Sequence, residues 1–345
     1  IDHTATKIIM HEDDSSLEVF CVVSAVAKTG VEMEAIMGVN AALITIYDLS
    51  KIVNPHLRID NVRLLIKEGG KSGLWTNPDG LPKFLENIFY NSASIIYNYI
   101  AEHIIDSKEL DNSIFDFGFW PGGDRDGNPF VTADITLKTA KRLKFSILRN
   151  YYRDLRKLKR KITFPGVEQK VINLEESVFN ELFYPKKNIL FSLNNLASEL
   201  ELVLEAIMKE HNGLYQEDVK DLIHKIKLFG FHFASLDIRQ DSRVHHKVFT
   251  EIVSHPEIQS YVKGLPLNYN KLTTEKRCKV LSLITGDISP NIYVDEITQQ
   301  TLESIRAMQQ IQQNNGERGS NRYIISNCQT LENILELFAS FSRCP

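Results

Sequence analysis

The sequence lacks the features that mark secreted, membrane-spanning or nucleic-acid-binding proteins. It has only four cysteines in 345 residues, and they are scattered without metal-ligand spacing. No apolar run reaches the roughly 18 residues that a membrane-spanning helix needs, and the start has no signal-peptide pattern. The formal net charge of −4 gives no overall attraction for nucleic acid. We therefore expect reduced thiols and a cytoplasmic protein with no nucleic-acid or membrane partner.

The composition is that of an ordinary globular protein. The chain is 43% hydrophobic and 24% charged, and it is long enough for two domains with sizeable cores. It begins at Ile1 rather than at a methionine, which suggests a fragment. We predict an α+β segment over residues 1–75, a turn-rich join at 76–80, and a larger second region over 81–345.

The first 75 residues predict a strand, a helix and a strand. Residues 16–27 are rich in Val, Phe and Leu, residues 31–53 repeat apolar side chains at helical spacing, and residues 57–66 resemble a second strand. This pattern is typical of a small α+β two-layer sandwich fragment.

The predicted helix carries one polar stripe. Glu34, Thr45 and Asp48 fall on nearly one line, and Lys51 lies one turn beyond Asp48. One interpretation is a solvated face with an ion pair between Asp48 and Lys51. The other is a catalytic stripe in which Asp48 and Lys51 act as an acid/base pair.

Three strings in this region carry a resemblance to a known family. Lys-Thr-Gly-Val-Glu-Met-Glu-Ala at 28–35, Ala-Leu-Ile-Thr-Ile-Tyr-Asp at 42–48 and Val-Arg-Leu-Leu at 62–65 resemble the cyclic pyranopterin monophosphate synthase family of molybdenum-cofactor biosynthesis. The resemblance implies that Asp48 is the acid/base and that Lys51 is a neighbouring catalytic lysine. The family's substrate is a cyclic guanosine triphosphate derivative. The residues that the resemblance places around it are Met33, Glu34, Lys67 and Lys71.

That family also uses an upstream Cys-His-Pro-Leu motif and an upstream lysine, and neither is in this sequence. We therefore expect the segment to be inactive by itself. We also expect it to be poorly stable alone, because it lacks elements that would cover its apolar helix.

Residues 117–129 are the most unusual stretch of the chain. They pack four glycines, two prolines, two aspartates and one arginine between two predicted helices. Glycines allow close approach to the backbone, and an arginine offers a planar donor fork, so one interpretation is a loop that binds phosphate or carboxylate. The alternative is an Asp-Gly-Asn-Pro turn that only reverses the chain.

A second candidate lies at the end of a short apolar strand at 231–238. Arg239 follows this strand, and catalytic groups in α/β barrels lie at the carboxyl ends of strands. The alternative is a structural arginine paired with Asp237 or Asp241. Asp241 and Ser242 are suited to cap a following helix. We interpret His245 and His246 on that helix as surface or packing residues.

These stretches resemble the phosphoenolpyruvate carboxylase family over residues 81–345. The matching strings are Gly-Gly-Asp-Arg-Asp-Gly-Asn-Pro at 122–129, Leu-Asp-Ile-Arg-Gln at 236–240 and a short strand at 323–326. The resemblance implies a mainly α fold with part of an α/β barrel. It implies that Arg239 contacts the phosphoenolpyruvate or carboxyphosphate anion. The predicted substrate-binding residues of the loop are Trp120, Gly122, Gly123, Asp124, Arg125, Asp126, Gly127 and Asn128.

The family forms oxaloacetate and phosphate from phosphoenolpyruvate and bicarbonate, with Mg²⁺ or Mn²⁺. Its acidic metal ligands and its Thr-Ala-His-Pro-Thr motif are not in this sequence, so we predict no metal ligand in the chain and no turnover by it alone. Both families form oligomers, which implies a homo-oligomer. Two alternatives to the carboxylase function are pterin synthase activity from residues 1–75 and a non-catalytic fusion or scaffold.

The rest of the second region predicts helices. Apolar side chains recur at helical spacing within four stretches and after the last predicted strand. The predicted helices are 81–105, 132–161, 191–211, 215–228 and 331–341.

Overall fold

The chain divides into two compact units, Ile1–Ala93 and Ser94–Pro345. The predicted join at 76–80 lies mostly outside the described residues, so the predicted domain limits stay a prediction. The computed structural model describes residues 1–11, 15–26, 30–67, 75–77, 85–103, 116–126, 128, 130–184, 193–256, 266, 268–281 and 295–341.

The first unit contains a hairpin and one long helix. Strand β1 (His3–His11) pairs antiparallel with β2 (Ser16–Ser24), and helix α1 (Glu32–Ser50) follows. Two short strands, β3 (Ile66–Lys67) and β4 (Trp75–Thr76), also pair antiparallel. The predictions of β2 and α1 are confirmed, whereas β1 was not predicted.

The predicted strand at 57–66 is wrong. Residues 57–65 have no strand structure, and pairing starts only at Ile66. A run of Val, Leu and Ile favours a strand only where a neighbouring strand accepts its hydrogen bonds. The assigned strand pairs of the described residues do not include 57–65, although the Asn77 N–H donates to the Leu65 carbonyl at 2.8 Å beside the β3–β4 pair.

Little of the apolar surface of residues 1–67 is buried. Among the described residues from 1 to 67, Phe20 is the one buried hydrophobic side chain. Helix α1 has no buried residue, and Met33 and Ile44 are 67% and 59% exposed. The described part of this region therefore has almost no core of its own.

The second unit is mostly helical, as predicted. A wider π-helical turn at Leu85–Phe89 leads into a helix that crosses the division between the units. The helices are α2 (Tyr90–His103), α3 (Ala133–Lys161), α4 (Glu168–Phe183), α5 (Leu193–Glu210), α6 (Gln216–Phe229), α7 (Ser242–Ser254), α8 (Thr274–Leu281), α9 (Glu296–Asn315) and α10 (Leu331–Phe341). The predictions of α3, α5, α6 and α10 are confirmed. Helix α4 was missed although its buried side chains recur at helical spacing.

The core of this unit is built on the apolar faces of its helices. Leu155 on α3, Val178 on α4, Leu200 on α5 and Val219 on α6 are wholly buried. A second buried cluster surrounds α7 and α9 and includes Phe249. No helix in the described part of the chain is both long and apolar enough to cross a membrane.

Short parallel strands connect the helical layers. Strand β5 (Gly118–Phe119) pairs with β6 (Ser235–Leu236), and β7 (Ile238–Asp241) pairs with β8 (Tyr323–Ser326), both in parallel. Since β6 and β7 are almost continuous, the segment 235–241 lies between the segments 117–125 and 322–326. The strand predicted at 323–326 is confirmed, and the one predicted at 231–238 is shorter and shifted toward Arg239.

Candidate anion-binding site

The parallel strands bring the glycine-rich turn beside Arg239. The Arg239 N–H donates to the Gly123 carbonyl at 3.0 Å, and the Arg125 N–H donates to the Arg239 carbonyl at 3.0 Å. Asp124 and Arg239 form an isolated parallel bridge. Two stretches more than a hundred residues apart in the sequence are therefore neighbours in the backbone.

Two glycines make this approach possible. A Cβ on Gly123 would clash with the carbonyl oxygen of Asp237, and a Cβ on Gly122 would clash with the Thr139 hydroxyl. Gly122 also has a φ of +84°, which side-chain-bearing residues rarely adopt. Thr136 donates to the Gly122 carbonyl at 2.7 Å, which fixes the turn on α3. The glycines thus serve close backbone packing.

Arg239 is held by stacking more than by hydrogen bonds. Its guanidinium carbon lies 5.4 Å from the centroid of the Trp120 ring. The nearest carboxylate oxygen belongs to Asp237 at 3.6 Å, which is beyond hydrogen-bond distance. Within the described part of the chain, the Arg239 Nε has no hydrogen-bond partner. Its side chain is 33% exposed, although the Nε atom itself is buried.

Asp237 is committed to a different arginine. Arg322 donates from Nε to the Asp237 carboxylate at 2.8 Å and from a second nitrogen to Asp116 at 3.0 Å. Burial works against the charge on Arg322, but its bonds to Asp237 and Asp116 raise its pKa overall. Asp237 is thus neutralised by Arg322, which leaves Arg239 loosely held. The sequence suggested Asp237 or Asp241 as the partner of Arg239. Asp237 lies too far away for a hydrogen bond, and Asp241 instead binds Arg243 at 2.5 Å.

Arg125 is buried and turned toward α9. It donates from one guanidinium nitrogen to the Gln300 carbonyl at 2.6 Å. Burial lowers its pKa, although Tyr323 and Glu303 oppose this effect. His245 is also buried, lies 3.1 Å from the Tyr323 hydroxyl, and has a pKa of about 4 because of burial and the nearby Arg125. Arg125 therefore has a structural role, in which it connects the turn to α9.

The other predicted loop residues are distributed over its surface. Trp120 is 37% exposed, and Asp126 and Asn128 are exposed. Asp124 is half-buried and accepts from the Asp126 N–H at 3.2 Å. Gly127 lies outside the described residues.

The predicted residues of the first unit lie on or near α1. Asp48 and Lys51 form an exposed ion pair at 2.6 Å, as the first of the two interpretations requires. Lys67 pairs with Glu32, and this bond lowers the pKa of Glu32. Met33 and Glu34 are exposed. Lys71 lies outside the described residues.

The donor set around Arg239 does not fit the divalent metal that the carboxylase resemblance implies. A hard cation needs several carboxylate or carbonyl oxygens. Two guanidinium groups, those of Arg322 and Arg239, face the single carboxylate of Asp237, so the local charge is positive. An anion suits this environment, and no reaction step through a metal follows from these residues.

Sequence reasoning missed Arg322 and Asp116. Neither falls in a motif, and their roles depend on which strands are adjacent. Asp237 was considered only as a partner of Arg239. The parallel order of the strands was the signal that could have identified Arg322, since it comes directly before β8.

The chain matches two family models. The phosphoenolpyruvate carboxylase model matches residues 79–180 and 167–340, and the model of the MoaC family matches residues 1–70. The second match supports the resemblance of the first 70 residues to the pterin-forming family.

Curated relatives of the larger region carry the name phosphoenolpyruvate carboxylase. The protein of Nitrosomonas eutropha is 28% identical over 302 residues, which are 73% of this chain and 31% of the relative. The protein of Thermosynechococcus vestitus is 26% identical over 279 residues, which are 64% of this chain and 27% of the relative. The chain thus spans about three tenths of the length of these relatives. Because one family model covers well over half of it, the chain belongs to the phosphoenolpyruvate carboxylase family.

Proposed function

We propose that the surface formed by Trp120, Arg239 and the turn at 122–126 binds the phosphate or carboxylate of phosphoenolpyruvate. The reaction that we propose for the whole protein joins phosphoenolpyruvate and bicarbonate into oxaloacetate and phosphate. The parallel strands at the site would be the first strands of an α/β barrel, whose strand ends commonly hold catalytic groups.

The position of Arg239 is the observation that carries this proposal. Its guanidinium lies over the Trp120 ring with no hydrogen bond to its Nε among the described residues. Stacking orients the planar fork without using its N–H groups. Such a fork can donate two parallel bonds to a phosphate or carboxylate.

The chemistry of the reaction explains why an arginine is useful here. Negative charge develops on the transferring phosphoryl group and on the enolate that attacks the carbon. A positioned guanidinium stabilises that charge and is never deprotonated near neutral pH. We assign Arg239 this role of anion stabilisation, with Trp120 as its support. The divalent metal of the family, Mg²⁺ or Mn²⁺, would have its ligands elsewhere, and a homo-oligomer is part of the same proposal.

Calorimetric titration of phosphoenolpyruvate into the full chain tests this proposal. We expect Arg239→Ala to weaken binding about tenfold or more, since a charge-assisted bond contributes roughly 1.5–3 kcal/mol. Arg243→Gln is the matched control, because it changes the charge equally nearby but alters a residue paired with Asp241. Equal affinity of the wild type and Arg239→Ala, or an equal loss in Arg243→Gln, would reject the assignment.

A second candidate function belongs to the first unit. Its match to the MoaC family and the Asp48–Lys51 pair on α1 favour cyclic pyranopterin monophosphate synthase activity with a cyclic guanosine triphosphate derivative. Asp48 would act as acid/base beside Lys51, with Met33, Glu34, Lys67 and Lys71 near the substrate. Pterin formation that disappears in Asp48→Ala would support it, and activity unchanged by this substitution would exclude it.

A further inference from the structure

A second group of polar side chains lies where α7, α10 and the segment 268–281 meet. His246 projects from α7, and Glu332 and Glu336 project from α10. One nitrogen or oxygen atom of each lies within 4.8 Å of the others. We name these three residues the His–Glu–Glu cluster.

The spacing of the cluster is close to that of a metal site. His246 Nδ1 is 2.9 Å and 3.1 Å from the two carboxylate oxygens of Glu336. Ligands bound to Zn²⁺ at about 2.0–2.2 Å in a tetrahedral site are roughly 3.3 Å apart. Glu332 and Glu336 are four residues apart on one helix, so their carboxylates lie on the same face. Only a small closure would bring all three ligands onto one ion.

Two further residues orient the carboxylates by donating hydrogen bonds to them. The Tyr269 hydroxyl donates to Glu336 at 3.2 Å, and an Arg277 guanidinium nitrogen donates to Glu332 at 2.5 Å. Hydrogen bonds of this kind fix the orientation of metal ligands in known sites.

The charge of the cluster also favours a cation. Glu336 is 0% exposed and Glu332 is 7% exposed, and the Arg277 guanidinium contacts Glu332. The two carboxylates outnumber the one guanidinium that contacts Glu332, and a buried carboxylate is stabilised by a neighbouring cation.

An ion could reach the cluster from solvent. The His246 side chain is 43% exposed, whereas the two glutamates are covered. Water could therefore fill a fourth coordination position on the side of His246, as in zinc sites with three protein ligands.

We propose that His246, Glu332 and Glu336 bind a divalent transition-metal ion of the Zn²⁺ type, with Tyr269 and Arg277 as positioning residues. An imidazole nitrogen favours Zn²⁺ over Mg²⁺, which prefers an all-oxygen shell. This proposal does not depend on the proposed function. It differs from our expectation from the sequence, which named no metal ligand in the chain.

Titration of Zn²⁺ into the full, chelator-treated chain tests the proposal. We expect one strongly bound ion per chain and a higher melting temperature with Zn²⁺. The affinity should decrease as the pH is lowered, because the ligands become protonated. His246→Gln should weaken binding about tenfold or more and abolish the rise in melting temperature, and Tyr269→Phe should weaken it about tenfold.

One control and one further ligand variant separate this site from other zinc-binding groups. His103→Gln removes an exposed histidine whose ring contacts its own helix and Tyr99, so it should leave the affinity unchanged. Glu332→Gln keeps the shape of the side chain and should weaken Zn²⁺ binding. A chain that binds no Zn²⁺ would overturn the proposal. So would equal affinity of the wild type and His246→Gln, or displacement of Zn²⁺ by an equal concentration of Mg²⁺.

Discussion

The two family-matched regions differ in how their polar and apolar groups are placed. Residues 94–341 bury whole helix faces and keep ion pairs in the interior, such as Lys225 with Asp154 and Asp221. The described part of residues 1–67 buries one hydrophobic side chain, and its Asp48–Lys51 pair is exposed. Similar residue types thus make a core in one region and a surface in the other, so composition alone does not identify the stable part.

We expect the largest difference between the two regions when one partner of an ion pair is removed and the unfolding free energy is measured. Burial lowers the pKa of Lys225, but Asp154 and Asp221 outweigh it and raise the pKa overall. Lys225→Ala would remove the cation that Asp154 and Asp221 share, leaving Asp154 its pair with the exposed Lys157, and should lower the unfolding free energy by about 3–5 kcal/mol. Lys51→Ala, on an exposed pair, should change it little. Urea denaturation of both variants measures the difference, and equal losses would contradict it.

Truncation of an apolar side chain should also affect stability very differently in the two regions. Leu155 on α3 is wholly buried, so Leu155→Ala should destabilise the chain by about 2–5 kcal/mol. Ile44→Ala on α1, where the side chain is 59% exposed, should change the unfolding free energy by less than about 0.5 kcal/mol. A large loss on Ile44→Ala would mean that α1 is covered in solution.

A substitution at Gly123 in the packed turn should have a larger effect than the same substitution at Gly166, which has free space around it. Gly123→Ala would push against the Asp237 carbonyl and separate the turn from Arg239, so phosphoenolpyruvate binding should be lost. Gly166 has a φ of +84° but no atom within 4 Å of an added Cβ. Gly166→Ala should cost only about 1–2 kcal/mol from backbone strain and leave binding intact. Calorimetry and urea denaturation test the pair, and normal binding by Gly123→Ala would contradict the packing described.

A smaller effect is expected from pH. The pKa of His245 is about 4 in the folded chain because of burial and Arg125, below the ordinary value of about 6.5. The unfolded chain therefore takes up a proton first, so the unfolding free energy should fall between pH 6.5 and pH 4 by about 1–3 kcal/mol from this residue. His245→Gln should reduce that slope, while the exposed His103→Gln should not. An unchanged slope in His245→Gln would contradict the burial of the neutral ring.

Local sequence patterns predicted most helices but not the side-chain partners at the site. Apolar spacing located α1, α2, α3, α5, α6 and α10, because apolar side chains recur at helical spacing along each of them, but it missed α4, α8 and α9. The prediction of a strand at 57–66 was wrong, because strand formation depends on a neighbouring strand, which the local sequence does not contain. The proximity of Gly123 and Arg239 followed only from strand order, although both motifs had been identified. The pairing of Asp237 with Arg322 and the approach of His246 to Glu336 join distant segments, so no local pattern contained them.

Hydrogen–deuterium exchange with and without phosphoenolpyruvate tests the location of the anion site most directly. We predict slower exchange on ligand binding in peptides that cover residues 117–126 and 235–243, with no change in those that cover α1. Arg239→Ala should remove this protection, while Arg243→Gln should keep it. Protection in α1, or none at the turn and at Arg239, would contradict the assignment of the site to the carboxylase-family region.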